Sequence, residues 1–176
     1  MIISSGSGKE FTLEKPLECH HVSETPTYDG VEVPMQAEVG LLSRNVVFRG
    51  SPDDSVADKY GAHIMIHSPG DETSIGRISY IELKDVGQAF KLGRYPIHFH
   101  MIGTIHKSYV KGNTIWQTYN RAITTHGVFY FRVIDNVAYD TMGHTFFIED
   151  AIETANLYDH NLAIKIKASN SLLNTD

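Results

Sequence analysis

Short β-forming segments recur along this chain at nearly constant intervals, and this repetition restricts the fold more than any other feature. Residues 119–123 (Tyr-Asn-Arg-Ala-Ile) lie over residues 142–146 (Met-Gly-His-Thr-Phe) at an offset of 23, as Asn113 does over Asn136. Residues 86–90 fit the same register at an offset of 33, which leaves a loop of about ten residues as an insertion. Coils of roughly 22–25 residues, each built from several short strands, predict a right-handed parallel β-helix of about five coils rather than a sandwich.

The segments between the turn-forming residues are rich in β-formers, so the chain is predicted to be all-β. The predicted strands are residues 10–13, 46–48, 63–66, 78–81, 129–131 and 162–164. Residues 44–46 precede residues 77–79 by 33 and extend the repeat. Residues 150–157 fit one turn of helix. Asn recurs at strand starts, where stacked side chains can hydrogen-bond from coil to coil.

The first 40 residues differ from the rest, because their polar, proline-containing stretches carry no repeat. We interpret residues 1–40 as a lead-in segment packed against the solenoid, with the tail of a preceding domain as the alternative. Residues 41–176 are interpreted as the β-helix domain. A solenoid exposes unpaired strand edges at both ends, which indicates that the chain is part of a larger molecule.

Composition and charge narrow the classes of partner. With 176 residues, of which 41% are hydrophobic, the chain is long and apolar enough for a sizeable core. The net charge is −6, yet residues 77–132 carry eight Lys and Arg against two acidic residues. A basic middle in an acidic chain is compatible with an acidic polysaccharide, although charges spread over several faces are an equal alternative. The basic residues follow no nucleic-acid-binding motif, so nucleic acid is not an expected partner.

Three ionisable side chains fall into one column when the repeats are superposed. The alternation in residues 97–100 (Ile-His-Phe-His) places His98 and His100 on one face of a strand. Residues 123–126 and 146–149 lie over this segment, so His100, His126 and Glu149 are predicted to stack about 5 Å apart. These residues and His98 are the candidate catalytic groups, because Glu149 or a histidine could transfer a proton to a glycosidic oxygen. The alternative is a polar ladder that only stabilises the coil.

The identity of a second carboxylate stays open at this point. Glu149 and Asp150 can serve one substrate only if the strand ends at Glu149, because successive strand residues face opposite sides. A glycosidase needs two carboxyl groups roughly 5–10 Å apart. The remaining candidates for the partner are Asp140, Glu153 and Asp159. A lyase mechanism, with His or Arg as the base, suits the same residues. The predicted substrate-binding side chains are Arg94, Tyr95, Asn120, Arg121 and Asp150.

Several long motifs carry a family resemblance. They are residues 37–45 (Ala-Glu-Val-Gly-Leu-Leu-Ser-Arg-Asn), 93–100 (Gly-Arg-Tyr-Pro-Ile-His-Phe-His), 119–123, 143–150 (Gly-His-Thr-Phe-Phe-Ile-Glu-Asp) and 171–173 (Ser-Leu-Leu). With these motifs the chain resembles the β-helix region shared by fibrocystin-L and the cell-migration-inducing, hyaluronan-binding proteins, together with their transmembrane hyaluronidase relative. Residues 107–112 and the ending at 171–174 are closer to the fibrocystin-L branch.

The resemblance implies a pectin-lyase-like fold and an extracellular or cell-surface setting. In the hyaluronidase branch it implies calcium-dependent cleavage of hyaluronan, and in the fibrocystin-L branch a receptor-like or structural ectodomain. One departure concerns Gln36, because the hyaluronidase branch has Arg at that position, where a fixed cation would favour a uronate carboxylate. The residues assign no particular metal, and a metal site in the column of His100, His126 and Glu149 is an alternative that requires its outer members, about 10 Å apart, to bend inward. The acidic run of Asp53, Asp54 and Asp58 lacks EF-hand spacing and is better explained as a solvated loop.

We therefore expect an extracellular β-helix module that binds an acidic, hyaluronan-like polysaccharide and is a candidate for cleaving it. The alternative is a structural or adhesive ectodomain without catalysis. The first hypothesis places Arg94, Arg121 and the His100 column on one exposed face. The second places the same side chains in the interior, bonded to one another.

Overall fold

The computed structural model describes residues 3–8 and 10–169. The resemblance motif at residues 171–174 lies outside these ranges. The chain divides into two compact units, Met1–Val39 and Gly40–Asp176. In the first unit two short antiparallel pairs are formed, and almost all of its described side chains are exposed. The strands of these pairs are β1 (Ile3–Ser7), β2 (Glu10–Leu13), β3 (Thr27–Tyr28) and β4 (Val31–Glu32).

The second unit is built from three parallel sheets, each of which takes one strand from successive coils. The first sheet contains β7 (Arg77–Ser79), β10 (Tyr109–Lys111), β13 (Arg132–Ile134) and β16 (Leu157–Asp159). The second contains β5 (Val47–Arg49), β8 (Glu82–Val86), β11 (Thr114–Thr118), β14 (Val137–Met142) and β17 (Leu162–Lys167). The third contains β6 (Ile64–His67), β9 (Ile97–Thr104), β12 (Ile123–Phe129) and β15 (Phe146–Ile148). The prediction of an all-β parallel β-helix is confirmed, and the five strands of the second sheet mark five coils.

The strand register agrees with one predicted offset and corrects the others. Val137 pairs with Thr114, which is the predicted offset of 23. Val86 pairs with Thr118 at 32 rather than 33, and the next strands pair at 26, so the insertion between β8 and β9 is six residues rather than ten. The offset of 33 between residues 44–46 and residues 77–79 is wrong, because β5 pairs with β8 instead of β7.

Two local predictions are also wrong. Residues 129–131 form a corner rather than a strand, since β12 ends at Phe129 and Tyr130 has a φ of 59°. Residues 150–156 are irregular, and the short helix α1 lies instead at Asp54–Asp58, in the predicted acidic loop. Local acidic composition does not distinguish a loop from a single helical turn. Within the described ranges, no helix has the length and apolar character needed to cross a membrane.

The core runs along the inside of the coils. Alternate residues of each strand point inward, and Phe99 on β9 contacts Phe131 of the next coil with ring centroids 4.3 Å apart. The fully buried core residues also include Leu83, Val110, Ile115, Ile123 and Val133. Because inward and outward positions alternate, His98 and His100 project from the outer face of β9.

An asparagine ladder stabilises one corner of the coil, as predicted. The amide of Asn113 donates to the side-chain oxygen of Asn136, and Asn136 donates to that of Asn161, each over 3.0 Å. The backbone N–H groups of Asn113 and Asn136 donate to the same oxygens. The residue before each Asn has a positive φ, at Gly112, Asp135 and His160. These bonds satisfy polar groups that the sharp corner would otherwise leave buried and unpaired.

Candidate functional site

Three histidines stack on the outer face of the third sheet, and we call them the histidine ladder. His67 pairs with His100, and His100 pairs with His126, in the parallel register. Their ring centroids lie 5.2 Å and 4.9 Å apart, a spacing set by the distance between hydrogen-bonded strands. The predicted stacking of His100 over His126 is present. Sequence reasoning missed His67, although residues 64–67 (Ile-Met-Ile-His) repeat the pattern of residues 97–100.

His98 lies beside the ladder but is buried, at 2% exposure. Residues 93–95 fold over it: its Nδ1 lies 3.1 Å from the carbonyl oxygen of Gly93, and its ring meets that of Tyr95 edge-on at 4.8 Å. The His100 ring is 5.0 Å away. Burial, together with the neighbouring histidines, lowers the pKa of His98 to about 4 although the Gly93 hydrogen bond opposes the shift. His98 is therefore neutral at physiological pH.

Glu149 and Asp150 both approach the same imidazole. Strand β15 ends at Ile148, so the chain leaves the strict alternation of faces before these two carboxylates. Glu149 Oε2 lies 3.9 Å from Nδ1 of His126, and Asp150 Oδ2 lies 2.8 Å from Nε2 of the same ring. The two carboxylates can serve one site only if the strand ends before they alternate in direction. The strand ends at Ile148, one residue earlier than the predicted end at Glu149.

The environment of Glu149 favours its protonated form. Its side chain is 6% exposed, and burial raises the pKa of its carboxyl group although the charges of His126 and Arg121 oppose the shift. Glu149 Oε2 also lies 4.0 Å from Nε2 of His98. A buried acid with a raised pKa, next to imidazoles, is a candidate proton donor.

Three predicted substrate-binding residues are buried and contact neighbouring groups of the chain. Arg121 is 1% exposed, lies over the Phe147 ring at 3.8 Å and donates to the Tyr95 hydroxyl over 3.0 Å. Tyr95 is fully buried, and the amide of Asn120 donates to the carbonyl groups of residues 88 and 91. Direct substrate binding by these side chains stays a prediction, since Asn120 and Arg121 also line a cavity with residues 142–146. Their contacts with neighbouring groups support the site from inside, a position that a sequence without tertiary contacts does not reveal.

Arg94 contacts His63, which is not part of the histidine ladder. It is half-buried, and its Nη1 lies 3.1 Å from Nε2 of His63. Burial and, to a lesser extent, the Arg94 charge lower the pKa of His63. The other basic residues of the 77–132 segment are distributed over different sheets: Lys84 lies over Trp116, and Lys111 contacts Asp135. The arrangement favours the interpretation of solvated charges on several faces.

The remaining candidate carboxylates have other partners or positions. Asp140 is bonded to Lys165 and Lys167 on the second sheet. Asp159 is exposed at the end of β16. Glu153 lies nearest to the site, and its Oε1 accepts a 2.9 Å hydrogen bond from the backbone N–H of Gly127. Of the alternatives to Asp150, only Glu153 contributes to the electrostatic environment of Glu149.

The described residues do not fit calcium. Calcium takes six to eight oxygen ligands. Across the described ranges, one group of three or more potential metal ligands lies close enough to share an ion, and it consists of His98, His100 and His126. The acidic residues near α1 form no such group; there Asp54 accepts a hydrogen bond from Ser51. Among the described residues, no three acidic side chains therefore converge as ligands for the calcium implied by the resemblance.

Comparisons with known proteins agree with the fold. A family model described as CEMIP beta-helix matches residues 59–176. Fibrocystin-L of Mus musculus is 41% identical over 98% of this chain and 5% of its own length. The cell surface hyaluronidase CEMIP2 of Homo sapiens is 40% identical over 96% of the chain, and the cell surface hyaluronidase of Danio rerio is 36% identical over 96%. The chain spans 14% and 13% of these two relatives. No solved structure matches the chain.

Proposed function

The chain belongs to the CEMIP β-helix family, and on that premise we propose that it is a cell-surface module that binds an acidic, hyaluronan-like polysaccharide at the histidine ladder and cleaves it there. Two of the relatives are named as cell surface hyaluronidases. Because the chain spans only a small share of its relatives, the substrate, the activity and the location all belong to this proposal.

The observation that carries the proposal is the placement of Glu149. Its carboxyl group is buried between His98 and His126, and its pKa is raised by that burial. His100 and His126 are partly exposed, so a ligand can reach the outer edge of the group. A purely structural ladder needs no buried acid at its end.

The reaction we propose is hydrolysis of a glycosidic bond. Protonated Glu149 donates its proton to the leaving glycosidic oxygen while a water molecule attacks the anomeric carbon. The proton released by the water passes to the pair formed by His126 and Asp150, whose 2.8 Å contact holds the imidazole in place. Arg121 and Tyr95 support this arrangement from below, and Arg94 is the cation left for a substrate carboxylate at the edge.

The test is the size of hyaluronan on a gel after incubation with the purified chain, with and without calcium. We expect shortening by the unaltered chain, loss of shortening in Glu149→Gln, and retention in the matched control Asp159→Asn. Asp159 is also a carboxylate, but it is exposed at the end of β16. Ultraviolet absorbance of an unsaturated uronate in the products would indicate a lyase instead of a hydrolase.

The second candidate function is a structural or adhesive module without catalysis. It is favoured by the burial of Tyr95, Asn120 and Arg121, which makes these side chains part of the scaffold. Full-length hyaluronan in every lane, with a circular dichroism spectrum of a folded β protein, would support this second function and contradict the first. If the chain retains labelled hyaluronan without cleaving it, the result would support the binding part of the proposal and contradict the catalytic part.

A further inference from the structure

We propose that His98, His100 and His126 bind a divalent transition-metal ion of the zinc class. One potential ligand nitrogen from each ring lies within 4.8 Å of the others. Imidazole nitrogens are suitable ligands for such ions. The three rings come from two neighbouring strands in fixed register, so the group is held by the backbone ladder itself.

Short polar contacts face one ring nitrogen of two of the three rings, as in metal sites. Metal-bound histidines usually donate their second ring N–H to a carbonyl or a carboxylate. His98 Nδ1 lies 3.1 Å from the carbonyl oxygen of Gly93, and His126 Nε2 lies 2.8 Å from Asp150 Oδ2. With these N–H groups as donors, the lone pairs of His98 Nε2 and His126 Nδ1 are directed to the other side of each ring.

The third ring faces another imidazole nitrogen. His100 Nδ1 lies 3.2 Å from Nδ1 of His67, the outer member of the histidine ladder. The same His67 nitrogen lies 3.0 Å from the carbonyl oxygen of His100, which can only accept, so His67 Nδ1 carries the proton and His100 Nδ1 is the acceptor. The lone pair of His100 Nδ1 becomes available to a metal when the partly exposed His100 ring turns away from His67.

Glu149 provides a second, independent observation that points to a cation. Its Oε2 lies 4.0 Å from His98 Nε2 and 3.9 Å from His126 Nδ1, the two nitrogens left free by the bonds above. Both Glu149 Oε2 and His98 Nε2 are buried without a hydrogen-bond partner among the described residues. With Glu149 in its ionised form, which would replace the protonated form of the proposed reaction when a metal is bound, this carboxylate oxygen and the His98 lone pair are satisfied together by a cation between them.

The distances require a modest contraction. Metal–nitrogen bonds of about 2.0–2.1 Å in a tetrahedral site place ligand atoms roughly 3.3 Å apart. The present separations of up to 4.8 Å must therefore shorten by at most about 1.5 Å. His100 and His126 are partly exposed and have room for this adjustment, whereas His98 is buried. Calcium is not the expected ion, because its ligands are oxygens.

The inference goes beyond the proposed function, because metal binding is measured without a glycan. The experiment is calorimetric titration of the full chain with Zn²⁺, after removal of any affinity tag and treatment with a chelator. Titration with Co²⁺, followed by visible absorption, reports the geometry of the same site. We expect one equivalent of Zn²⁺ to bind and the tetrahedral Co²⁺ spectrum to appear.

Four variants separate this site from surface histidines. His100→Ala and His126→Ala should each weaken Zn²⁺ binding by about 100-fold or more, since loss of a direct ligand exceeds loss of an outer partner. Asp150→Asn should weaken it by about 10–100-fold through the orientation of His126. The control His160→Ala removes an imidazole that is 77% exposed and bonded to Asp135, and it should leave the affinity unchanged.

Absence of stoichiometric Zn²⁺ or Co²⁺ binding by the folded chain would overturn the inference. Equal affinity in the unaltered chain, His100→Ala and His126→Ala would overturn it as well, because the ion would then be bound at surface histidines. Hyaluronan cleavage by a chain that binds no metal would remove this inference and leave the proposed function intact. Stoichiometric metal binding with intact hyaluronan in all lanes would support this inference and contradict the proposed cleavage.

Discussion

Asp150 Oδ2 lies 2.8 Å from Nε2 of His126, on the side of the imidazole ring away from Glu149. A carboxylate at this distance favours the tautomer with the proton on Nε2, which leaves Nδ1 without a proton in the neutral ring. This contact leaves Nδ1 of His126 as the nitrogen that faces Glu149. The lone pair on Nδ1 is then the one that can accept a proton or bind a metal ion. The contact depends on the end of β15 at Ile148, which frees Asp150 to reach the ring.

We predict that Asp150→Asn changes the tautomer of His126. In the unaltered, metal-free chain at neutral pH, nitrogen-15 NMR of the imidazole should show Nε2 protonated and Nδ1 unprotonated. The asparagine amide can donate to Nε2 as well as accept from it, so the variant should show a mixture of tautomers. A proton on Nδ1 in the unaltered chain would contradict the assignment.

We predict that His98 makes the fold less stable in acid. Burial lowers the folded-state pKa of His98 from 6.5 to about 4, so the unfolded chain binds a proton before the folded chain does. The stability contributed by neutral His98 is complete above pH 6.5 and decreases as the pH falls toward 4. The expected loss is on the order of 3 kcal/mol, from about 1.4 kcal/mol per pKa unit. Urea unfolding of the metal-free chain between pH 4 and 7 measures it.

The control for this prediction is His98→Gln, which has no titrating ring and should flatten the pH dependence in that interval. Glu149 acts in the opposite direction, because burial raises its pKa and the folded chain then holds the proton more tightly. Its contribution is present at low pH and lost as the pH rises through the folded-state pKa. Glu149→Gln should therefore make the acid-induced loss steeper. An unchanged slope in His98→Gln would assign the loss to other groups.

We predict that Asn136→Ala destabilises the β-helix by roughly 2–4 kcal/mol, because several buried polar groups lose their partners at once. The Asn136 side chain accepts from the backbone and the amide of Asn113 and donates to Asn161 and to the carbonyl of Val110. Asn161→Ala should cost less, since Asn161 is half-buried and water can replace its bonds. Chemical denaturation of both variants measures the difference, and equal losses would contradict a cooperative ladder.

We predict that Arg121→Gln lowers the free energy of unfolding by roughly 3–5 kcal/mol, the range for disrupting a buried charged group. Arg121 is 1% exposed and contacts the Phe147 ring and the Tyr95 hydroxyl. The matched control is Arg132→Gln, because Arg132 is exposed on β13 and should change stability by less than about 0.5 kcal/mol. Urea unfolding compares the two. A stable Arg121→Gln variant with weakened hyaluronan binding would support Arg121 as a substrate ligand.

The repeat and the strand faces could be predicted from the sequence because both follow from local alternation. Inward Ile97 and Phe99 and outward His98 and His100 alternate as any strand requires, and the same alternation in residues 123–126 sets the register. The Asn113 and Asn136 ladder was predicted for a similar reason, since both residues begin strands at one offset. The offset of 33 failed because the insertion between β8 and β9 has no periodic pattern.

The chemistry of the site depended on contacts that no periodicity encodes. Residues 93–95 fold over His98 and bury it, which lowers its pKa, and β15 ends before Glu149, which brings both carboxylates to His126. From the sequence, Arg121 is predicted to be a cation available to a ligand. In the fold its guanidinium group lies against the Phe147 ring. Each of these contacts depends on the path of a segment outside the repeat, and the repeat does not predict that path.

By itself, the sequence determined the β-helix, its number of about five coils and the alignment of His100 with His126. These follow because hydrogen-bonded strands place residues of the same register in one column. Only the tertiary structure decided which members of that column are buried and which reach solvent. Burial depends on segments that cover a side chain, and it is burial that lowers the pKa of His98 and raises the pKa of Glu149 relative to ordinary surface residues.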